Sequence, residues 1–315
     1  MLIPDELPAG VLLSPCDGVV TRLEGKTMGT FWSTSLVLPG DVSLQSAELA
    51  LESAFARVIR EMSHWDAGSD LTRFNRARGG TWHALPPGFF KVLSRTCQIA
   101  DASSGACDPT LGEVTDLRGH GPRLLETGDD LTAALDRAGW RKIRLDRRGR
   151  RAFQPGGLRL DLSAIAKGHA VDLAAGFLNE AGIRNFLIEI GGELRGQGCK
   201  PDGSPWWVSL ARCSDESPET VIALCGMSVA TSGNEFRDHL VDPRDGSVAG
   251  KNLVSVTVLA RECMEADAWA TALFVVGHQE GLRLAEQQRL AAMFTVQEDG
   301  MFREEWSSAF ARMLD

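Results

Sequence analysis

The stretch from residue 157 to residue 192 constrains the fold most, because its hydrophobic period changes within a few residues. Residues 157–162, "GLRLDL", alternate as a strand does, whereas "SAIAKGHAVDLAAGFLNEAG" has the pattern of a helix that closes at Gly182. A buried strand is expected next at "NFLIEI", residues 185–190, before two glycines at 191 and 192. A strand, a tight turn, a helix and a strand in this order predict a chain that mixes helices with strands.

The rest of the sequence continues this mixture and shows no clean linker, so we expect a mixed α/β or α+β fold. Two connections are expected: a polar one at residues 63–80 and a turn-rich loop at 105–112. Further helices are predicted at 44–62, 87–104, 129–139 and across 262–277. Further strands are predicted at 31–38, 141–146, 150–154, 205–210, 219–224 and 253–260, the last with Val254, Val256 and Val258 on one face and Ser255 and Thr257 on the other.

Charge and cysteine usage exclude several classes of protein. A net charge of -9 argues against a nucleic-acid partner, because phosphate binding needs a basic field. No apolar stretch approaches the roughly 20 residues of a membrane-spanning helix. The first residues carry acidic rather than basic side chains, the reverse of a signal peptide. The seven cysteines are scattered without a C-x-x-C pair, so a reduced, cytoplasmic location is expected.

Asp267 and Thr271 lie four residues apart in a run that otherwise has the composition of a buried helix. Side chains at this spacing lie one above the other on a helix, so both oxygens can point at one spot. Two hard oxygen atoms at one spot suit a magnesium ion. Alternatively, Asp267 belongs to the first helical turn and Thr271 back-bonds to its own helix, which the stretch alone leaves open.

Three further motifs are candidates for chemistry, each with an ordinary structural alternative. In "DLSAIAKG", residues 161–168, the start of a helix and Lys167 together favour an anion, although a capped helix with a surface lysine explains the pattern too. Gly191 and Gly192 either let the backbone approach a ligand or another strand, or form a tight hairpin turn. His239 is a candidate general base or a structural histidine.

Several familiar nucleotide and ester sites are excluded by the sequence itself. The "GKT" at residues 25–27 is not a phosphate loop, because Val20 occupies the position of the required glycine. No G-x-G-x-x-G follows a strand, and no G-x-S-x-G is present. A dinucleotide-binding Rossmann enzyme or an α/β-hydrolase would therefore lack its characteristic motif.

Taken in order, the motifs resemble the successive blocks of the ApbE family of FAD:protein FMN transferases. These blocks are "TMGT", "MSHWDAGSDLTRFN", "SGACDPTLG", "DLSAIAKGHAVD", "IEIGGELRGQG", "VATSGN", "HLVDPRDG" and "SVTVLARECMEADAWATALFVVG". The resemblance implies an ApbE-like, T-fold-like architecture of two interleaved lobes over residues 27–315, after an N-terminal extension at 1–26. It also implies transfer of FMN from FAD, bound in the cleft between the lobes, to a Thr or Ser hydroxyl of a target flavoprotein, with release of AMP.

The resemblance also implies roles for individual residues. Magnesium would be held by Asp267, Thr271 and the backbone carbonyl of Ala164, and His239 would assist the transfer, with Asp242 as a possible orienting group. The expected FAD contacts are Met28, Trp65, Ala106, Cys107, Asp108, Asp161, Lys167 and Val241. Trp65 stands where tyrosine is usual in the family and Cys107 where phenylalanine is common. FAD hydrolysis to FMN and AMP, or non-catalytic flavin storage, are the alternatives that the sequence leaves open.

Overall fold

The computed structural model describes residues 17–123, 130–210, 220–233, 239–250 and 252–313. Residues 1–16, and therefore most of the expected N-terminal extension, lie outside the described part. So do residue 129 of the expected helix at 129–139, residue 219 of the expected strand at 219–224, and residues 234–238 beside "VATSG". All of the candidate site residues lie within the described part of the chain.

An antiparallel sheet of eight strands, in the order β1-β2-β6-β7-β10-β11-β12-β13, forms the centre of the described structure. A second sheet has the order β3-β5-β4, and β8 pairs with β9. The strands are β1 (Val20–Thr27), β2 (Thr30–Val37), β3 (Thr81–Ala84), β4 (Arg144–Asp146), β5 (Arg151–Gln154), β6 (Asn185–Ile190), β7 (Glu193–Gln197), β8 (Trp206–Ser209), β9 (Val221–Leu224), β10 (Met227–Gly233), β11 (Leu253–Ala260), β12 (Ala291–Glu298) and β13 (Met301–Trp306).

Helices cover one face of the large sheet. The helices in the described residues are α1 (Leu44–Met62), α2 (Asp70–Asn75), α3 (Pro87–Ala102), α4 (Gly112–Leu117), α5 (Leu131–Arg137), α6 (Ser163–Glu180), α7 (Cys263–Val276), α8 (His278–Gln288) and α9 (Ser308–Ala311). α7 lies between α6 and strands β10 and β11. Every residue from Ala266 to Val275 is buried, as expected of a helix that is apolar on all sides. On the opposite face, a smaller core around Trp206 and Phe310 packs β8, β9 and α9 against the sheet.

The mixed helix-and-strand fold predicted from the sequence is confirmed. The helix expected at 44–62 and the strands at 185–190 and 253–260 have those bounds in the structure. In β11, Val256 and Val258 both enter the main core, as the alternation predicts, and Thr257, which faces the other way, is buried too. Residues 140–142 form a 3-10 turn, so the strand predicted at 141–146 is limited to β4.

The strand predicted at "GLRLDL" was wrong. Leu158, Leu160 and Leu162 are buried, which explains the alternating pattern, but the segment makes only an isolated parallel bridge between Leu111 and Arg159. The Asn75 side chain replaces a neighbouring strand: its amide donates to the Leu160 carbonyl at 2.8 Å, and its oxygen accepts from the Leu160 N–H at 2.7 Å.

The two glycines at 191 and 192 form the turn of the β6–β7 hairpin, so the hairpin interpretation is confirmed. Ile190 pairs with Glu193 across this turn, and the φ angles of Gly191 (59°) and Gly192 (98°) are both positive, as in a tight type I′ turn. The hairpin fixes the position of Glu193 at the start of β7.

The first strand begins at Val20 and pairs with β2 along its whole length, so the expected extension at 1–26 overlaps an edge strand of the sheet. No helix in the described residues is long and apolar enough to cross a membrane.

Candidate active site

The candidate site lies where α6 and α7 approach each other most closely, at Gly168. A methyl group at Gly168 would lie 2.4 Å from the carbonyl oxygen of Cys263 and 2.8 Å from Cβ of Asp267, both far inside normal contact. Only a residue without a side chain lets the two helices meet at this distance. The glycine that ends the motif "DLSAIAKG" therefore sets the geometry of the site.

The Asp267 carboxylate points from α7 at the backbone of α6. Its Oδ2 accepts a hydrogen bond from the Gly168 N–H at 2.8 Å, and its Oδ1 lies 3.8 Å from Nζ of Lys167. Burial raises the pKa of Asp267, while Lys167 and the Gly168 N–H oppose the shift. Because α7 begins at Cys263 and its first-turn acid is Glu265, the alternative that Asp267 belongs to the first turn was wrong.

Lys167 bridges two buried carboxylates, those of Asp267 and Glu193. Its ammonium group is hydrogen-bonded to Oε1 of Glu193, while Oε2 of Glu193 is buried without a hydrogen-bond partner. Burial alone would lower the pKa of Lys167, but Asp267 and Glu193 outweigh it and raise the pKa above its usual range. Burial raises the pKa of Glu193 despite the opposing charge of Lys167. The site thus holds a fixed cation and more carboxylate oxygens than that cation satisfies.

Thr271 lies one turn further along α7 and is buried with Asp267. Its hydroxyl lies 3.1 Å from the hydroxyl of Ser232 on β10, rather than bonding back to its own helix. Ser232 belongs to the hydroxyl pair in "VATSG", whose other member, Thr231, lies 2.9 Å from the Thr257 hydroxyl. β10 therefore supplies a second hydroxyl next to the candidate metal ligands.

The donors around Asp267 fit a small divalent cation. They are carboxylate and hydroxyl oxygens, the class of ligand that magnesium prefers. In a regular α-helix the Gly168 N–H donates to the carbonyl of Ala164, so Ala164 and Asp267 meet at the same N–H group. The described residues contain no group of three or more His, Cys, Asp or Glu side chains suited to a metal. A Mg²⁺ site here would rest on one carboxylate, hydroxyl and carbonyl oxygens, and oxygens of a bound substrate.

The loop after α3 brings Ala106, Cys107 and Asp108 to the same region. Ala106 and Cys107 are buried, and burial together with the charges of Asp267 and Asp108 raises the pKa of the Cys107 thiol. Asp108 accepts hydrogen bonds from the Thr110 N–H at 2.8 Å and the Trp140 N–H at 3.0 Å. The Asp108 side chain therefore holds its own loop in place, which leaves the backbone of 106–108 as the surface for a ligand.

Asp161 fixes the start of α6 and links it to Trp65. Its Oδ1 accepts from the Ser163 N–H at 2.9 Å and lies 3.3 Å from Nδ1 of His64. Burial opposes ionisation of Asp161, but His64 and Ser163 outweigh it and lower the pKa below its usual range. Trp65, which follows His64 in the chain, is 66% exposed, and its ring lies 5.5 Å from that of His64. An open aromatic face thus stands beside the start of α6.

Met28 occupies the turn between β1 and β2. Thr27 pairs with Thr30, so Met28 and Gly29 form a two-residue turn, and Met28 has a positive φ of 47°. Its side chain packs partly against the main core. A left-handed conformation at a residue other than glycine is uncommon and marks a position that the surroundings hold in place.

His239 and Val241 lie on the segment that follows the undescribed residues 234–238. His239 is exposed, and its ring lies edge-on to that of His120 at 6.4 Å. Val241 is buried with Leu111 and Val114 in a small core, so any ligand would meet its backbone. Both carboxylate oxygens of Asp242 accept hydrogen bonds from the Arg244 side chain, so an orienting role toward His239 stays a prediction.

His169, beside Gly168, makes the folded state sensitive to acid. Burial, with the charges of Lys91 and Arg57, lowers its pKa from 6.5 to about 4, and its Nδ1 has no hydrogen-bond partner. The unfolded chain therefore binds a proton that the folded chain excludes, and stability is lost as the pH falls from 6.5 toward 4.

We expect the wild type to lose up to about 3 kcal/mol of unfolding free energy through this group over that pH range. His169→Gln should remove that part of the pH dependence. Urea unfolding of both proteins across the range measures the difference, and equal pH dependence in both would contradict this role for His169.

Sequence patterns did not single out Gly168, His64 or Glu193. All three stand inside quoted motifs, but a glycine within a helix and a histidine within a polar connection carry no specific signal. Glu193 follows the double glycine, and only the hairpin register shows that its side chain reaches Lys167 on α6.

The chain is similar in sequence to proteins of one known family. The sequence profile of the ApbE family matches residues 28–294. The FAD:protein FMN transferase of Vibrio cholerae is 31% identical, with 96% of this chain and 96% of the relative covered. That of Haemophilus influenzae is 32% identical, with 94% of this chain and 92% of the relative covered.

Solved structures of such proteins have the same fold. The flavin transferase ApbE from Vibrio cholerae matches with a TM-score of 0.88 at 30% identity, covering 95% of this chain and 100% of the other. The apo form of Pseudomonas stutzeri flavinyl transferase ApbE matches with a TM-score of 0.86 at 33% identity, covering 94% and 97%. The expected ApbE-like fold is thereby confirmed, and this chain is a member of the ApbE family.

Proposed function

We propose that this chain is an Mg²⁺-dependent FAD:protein FMN transferase that uses a Thr or Ser hydroxyl of a target flavoprotein as acceptor and releases AMP. The names of its relatives support flavin transfer to a protein. The single structural observation that carries the proposal is the buried Asp267 carboxylate, aligned with Thr271 on α7 and set against Lys167 and the Gly168 N–H of α6. We further propose one ApbE-like domain over residues 27–315, with FAD in a cleft between two lobes.

The reaction requires one bond to form and one to break. The acceptor oxygen attacks the phosphorus of the FMN half, the bond from that phosphorus to the bridging oxygen breaks, and AMP leaves with that oxygen. The hydroxyl proton passes to a base, for which His239 is the candidate. Mg²⁺, held by Asp267, Thr271 and the Ala164 carbonyl, would supply charge neutralisation at the diphosphate.

The residues of the chain supply the remaining positive charge and the binding surface. Lys167 and the N-terminus of α6 can face a diphosphate, although the protein as a whole is acidic. The exposed ring of Trp65 offers a stacking face for the flavin, and Asp161 holds the neighbouring His64. Met28, Val241 and the backbone of Ala106, Cys107 and Asp108 complete the proposed FAD contacts.

Incubation with FAD, Mg²⁺ and a candidate acceptor flavoprotein tests the function. Flavin fluorescence that stays with the denatured acceptor, with release of AMP, is the expected result. Free FMN without labelled protein would show that the enzyme hydrolyses FAD instead of transferring FMN. Unchanged FAD would indicate a storage protein. An acceptor variant in which every Thr and Ser residue is replaced should remain unlabelled. This control tests whether the flavin is attached to a hydroxyl group.

Glu193 should affect the Mg²⁺ dependence of transfer through its contact with Lys167. In Glu193→Gln the ammonium group of Lys167 keeps only Asp267 as a full negative partner, so it should compete more strongly with a cation for that carboxylate. We expect the Mg²⁺ concentration for half-maximal transfer to rise about tenfold, the size typical of groups that support a metal ligand. Glu189→Gln, on the preceding strand, is the matched control. A lower maximal rate with unchanged Mg²⁺ dependence would contradict this role.

A further inference from the structure

A concentrated positive charge lies on one hairpin of this acidic protein. Residues 140–151, named the basic hairpin here, contain Arg141, Lys142, Arg144, Arg147, Arg148, Arg150 and Arg151 with the single carboxylate Asp146. The segment carries a formal charge of +6, so the remainder of the chain carries -15 against the total of -9. All seven cationic side chains are exposed.

Most of this charge is not neutralised within the described part of the chain. Arg151 pairs with Asp146 at 2.6 Å. At the turn between β4 and β5, Arg147, Arg148 and Arg150 make no ion pair with any other described residue. An ordinary solvated charge run has partners of opposite sign interspersed, whereas here three arginines are held together on the four-residue turn 147–150. Holding them together costs free energy unless a partner supplies negative charge.

The outward face of β3, β5 and β4 arranges aromatic rings under these cations. Trp82, Phe153 and Arg144 stand in one cross-strand row. The Arg144 guanidinium lies 4.6 Å from the centre of the Phe153 ring and 5.5 Å from that of Trp82. Stacking occupies the flat face of a guanidinium and leaves its edge N–H groups for a carboxylate, which they bind in pairs.

The basic hairpin begins at the loop of the candidate flavin site. The Trp140 N–H donates to Oδ2 of Asp108 at 3.0 Å, and the guanidinium of Arg141 lies 4.1 Å from the centre of the Trp140 ring. The same ring packs against Gly105, so tightly that a methyl group there would lie 2.2 Å from it. A macromolecule bound to the hairpin would therefore lie next to residues 105–108.

We propose that the basic hairpin docks an acidic surface of the acceptor protein and so presents the acceptor hydroxyl to the site. The inference rests on the proposed function, because that reaction requires a protein to reach the flavin. The remainder of the chain carries a formal charge of -15 and would disfavour an acidic partner, whereas the hairpin would steer its approach. Adjacency to the site and edge N–H groups suited to carboxylates favour a protein over a lipid surface.

The test compares two variants with the same change of charge. One carries Arg147→Glu, Arg148→Glu and Arg150→Glu; the control carries Arg22→Glu, Arg60→Glu and Arg283→Glu, on β1, α1 and α8. The probes are a labelled peptide rich in glutamate around one threonine, its lysine counterpart, and phosphatidylcholine vesicles with and without phosphatidylserine. Binding is measured by fluorescence anisotropy and by sedimentation with vesicles, and FAD binding is measured in parallel.

We expect the glutamate peptide to bind the wild type and the control, with an affinity that falls as salt is added. The hairpin variant should bind it at least about tenfold more weakly while binding FAD normally. In transfer to an acceptor flavoprotein, the same variant should raise KM with little change in kcat. Binding of phosphatidylserine vesicles without peptide binding would overturn the proposal in favour of a membrane, and equal weakening in both variants would overturn it as well. Failure of transfer in the wild type would refute the proposed function and leave the peptide result to decide the docking surface.

Discussion

Asp267→Asn should reduce FMN transfer by at least about a thousandfold, since a metal that neutralises a diphosphate contributes several kcal/mol to the reaction. Asparagine has the same shape and can still accept the hydrogen bond from the Gly168 N–H, so the crossing of α6 and α7 should persist. What is lost is the negative charge beside Thr271. Single-turnover labelling of an acceptor flavoprotein at saturating FAD measures the effect.

Glu265→Gln is the matched control, because Glu265 lies on the same helix and pairs with Arg95 on α3 rather than with α6. It should keep the rate within a few-fold of the wild type. If Asp267→Asn kept the wild-type rate at limiting Mg²⁺, the carboxylate would not be a metal ligand. A loss of folding in Asp267→Asn, checked by thermal unfolding, would instead make the residue structural.

Gly168→Ala should destabilise the protein by about 3 kcal/mol, the upper range for overpacking in a rigid core. The added methyl would lie 2.4 Å from the backbone oxygen of Cys263, and backbone cannot rotate away as a flexible side chain can. Moving α7 to relieve the contact would also move Asp267, so the remaining folded protein should transfer FMN poorly. Urea unfolding and the transfer rate under native conditions measure the two effects separately.

Gly176→Ala provides the control in the same helix. Nothing lies within 4 Å of a methyl group at Gly176, so alanine should stabilise α6 by about 0.5–1 kcal/mol through its higher helix propensity. Equal stability changes at the two glycines would show that the close approach of α6 and α7 has no energetic consequence.

The elements predicted well from the sequence are those whose burial follows one simple period. α1 has apolar residues on one face and a Ser43 side chain that accepts from the Ser46 N–H, so both its pattern and its start are visible. β6 ends at the double glycine of its hairpin, and β11 is rich in β-branched side chains. In these segments local propensity and tertiary packing favour the same structure, so the bounds of each element can be predicted from the sequence.

One error arose where a side chain, rather than a neighbouring strand, satisfies part of the backbone. "GLRLDL" alternates because three leucines enter the core. The Asn75 side chain, instead of a neighbouring strand, hydrogen-bonds the backbone of this segment. Asn75 closes α2, a short helix capped by Ser69 within a segment expected to be a connection. A single-sequence period cannot show a hydrogen bond between residues so far apart in the chain.

The candidate site could be predicted from the sequence only in part, because some of its residues are close in the chain and others are not. Asp267 and Thr271 are visible because their spacing is local to one helix. The partners Lys167 and Glu193 come from α6 and β7, and their meeting depends on the packing of both against α7. The family resemblance placed Lys167 at the site, whereas the role of Glu193 follows only from the structure.

A crystal structure of the protein with FAD and Mn²⁺, a heavier substitute for Mg²⁺, tests whether Asp267 and Thr271 bind the metal. We expect an anomalous peak about 2.2 Å from Asp267 and Thr271 oxygens, with diphosphate oxygens completing the coordination of the metal. A metal bound elsewhere, with the Asp267 carboxylate still held only by Lys167 and the Gly168 N–H, would contradict it.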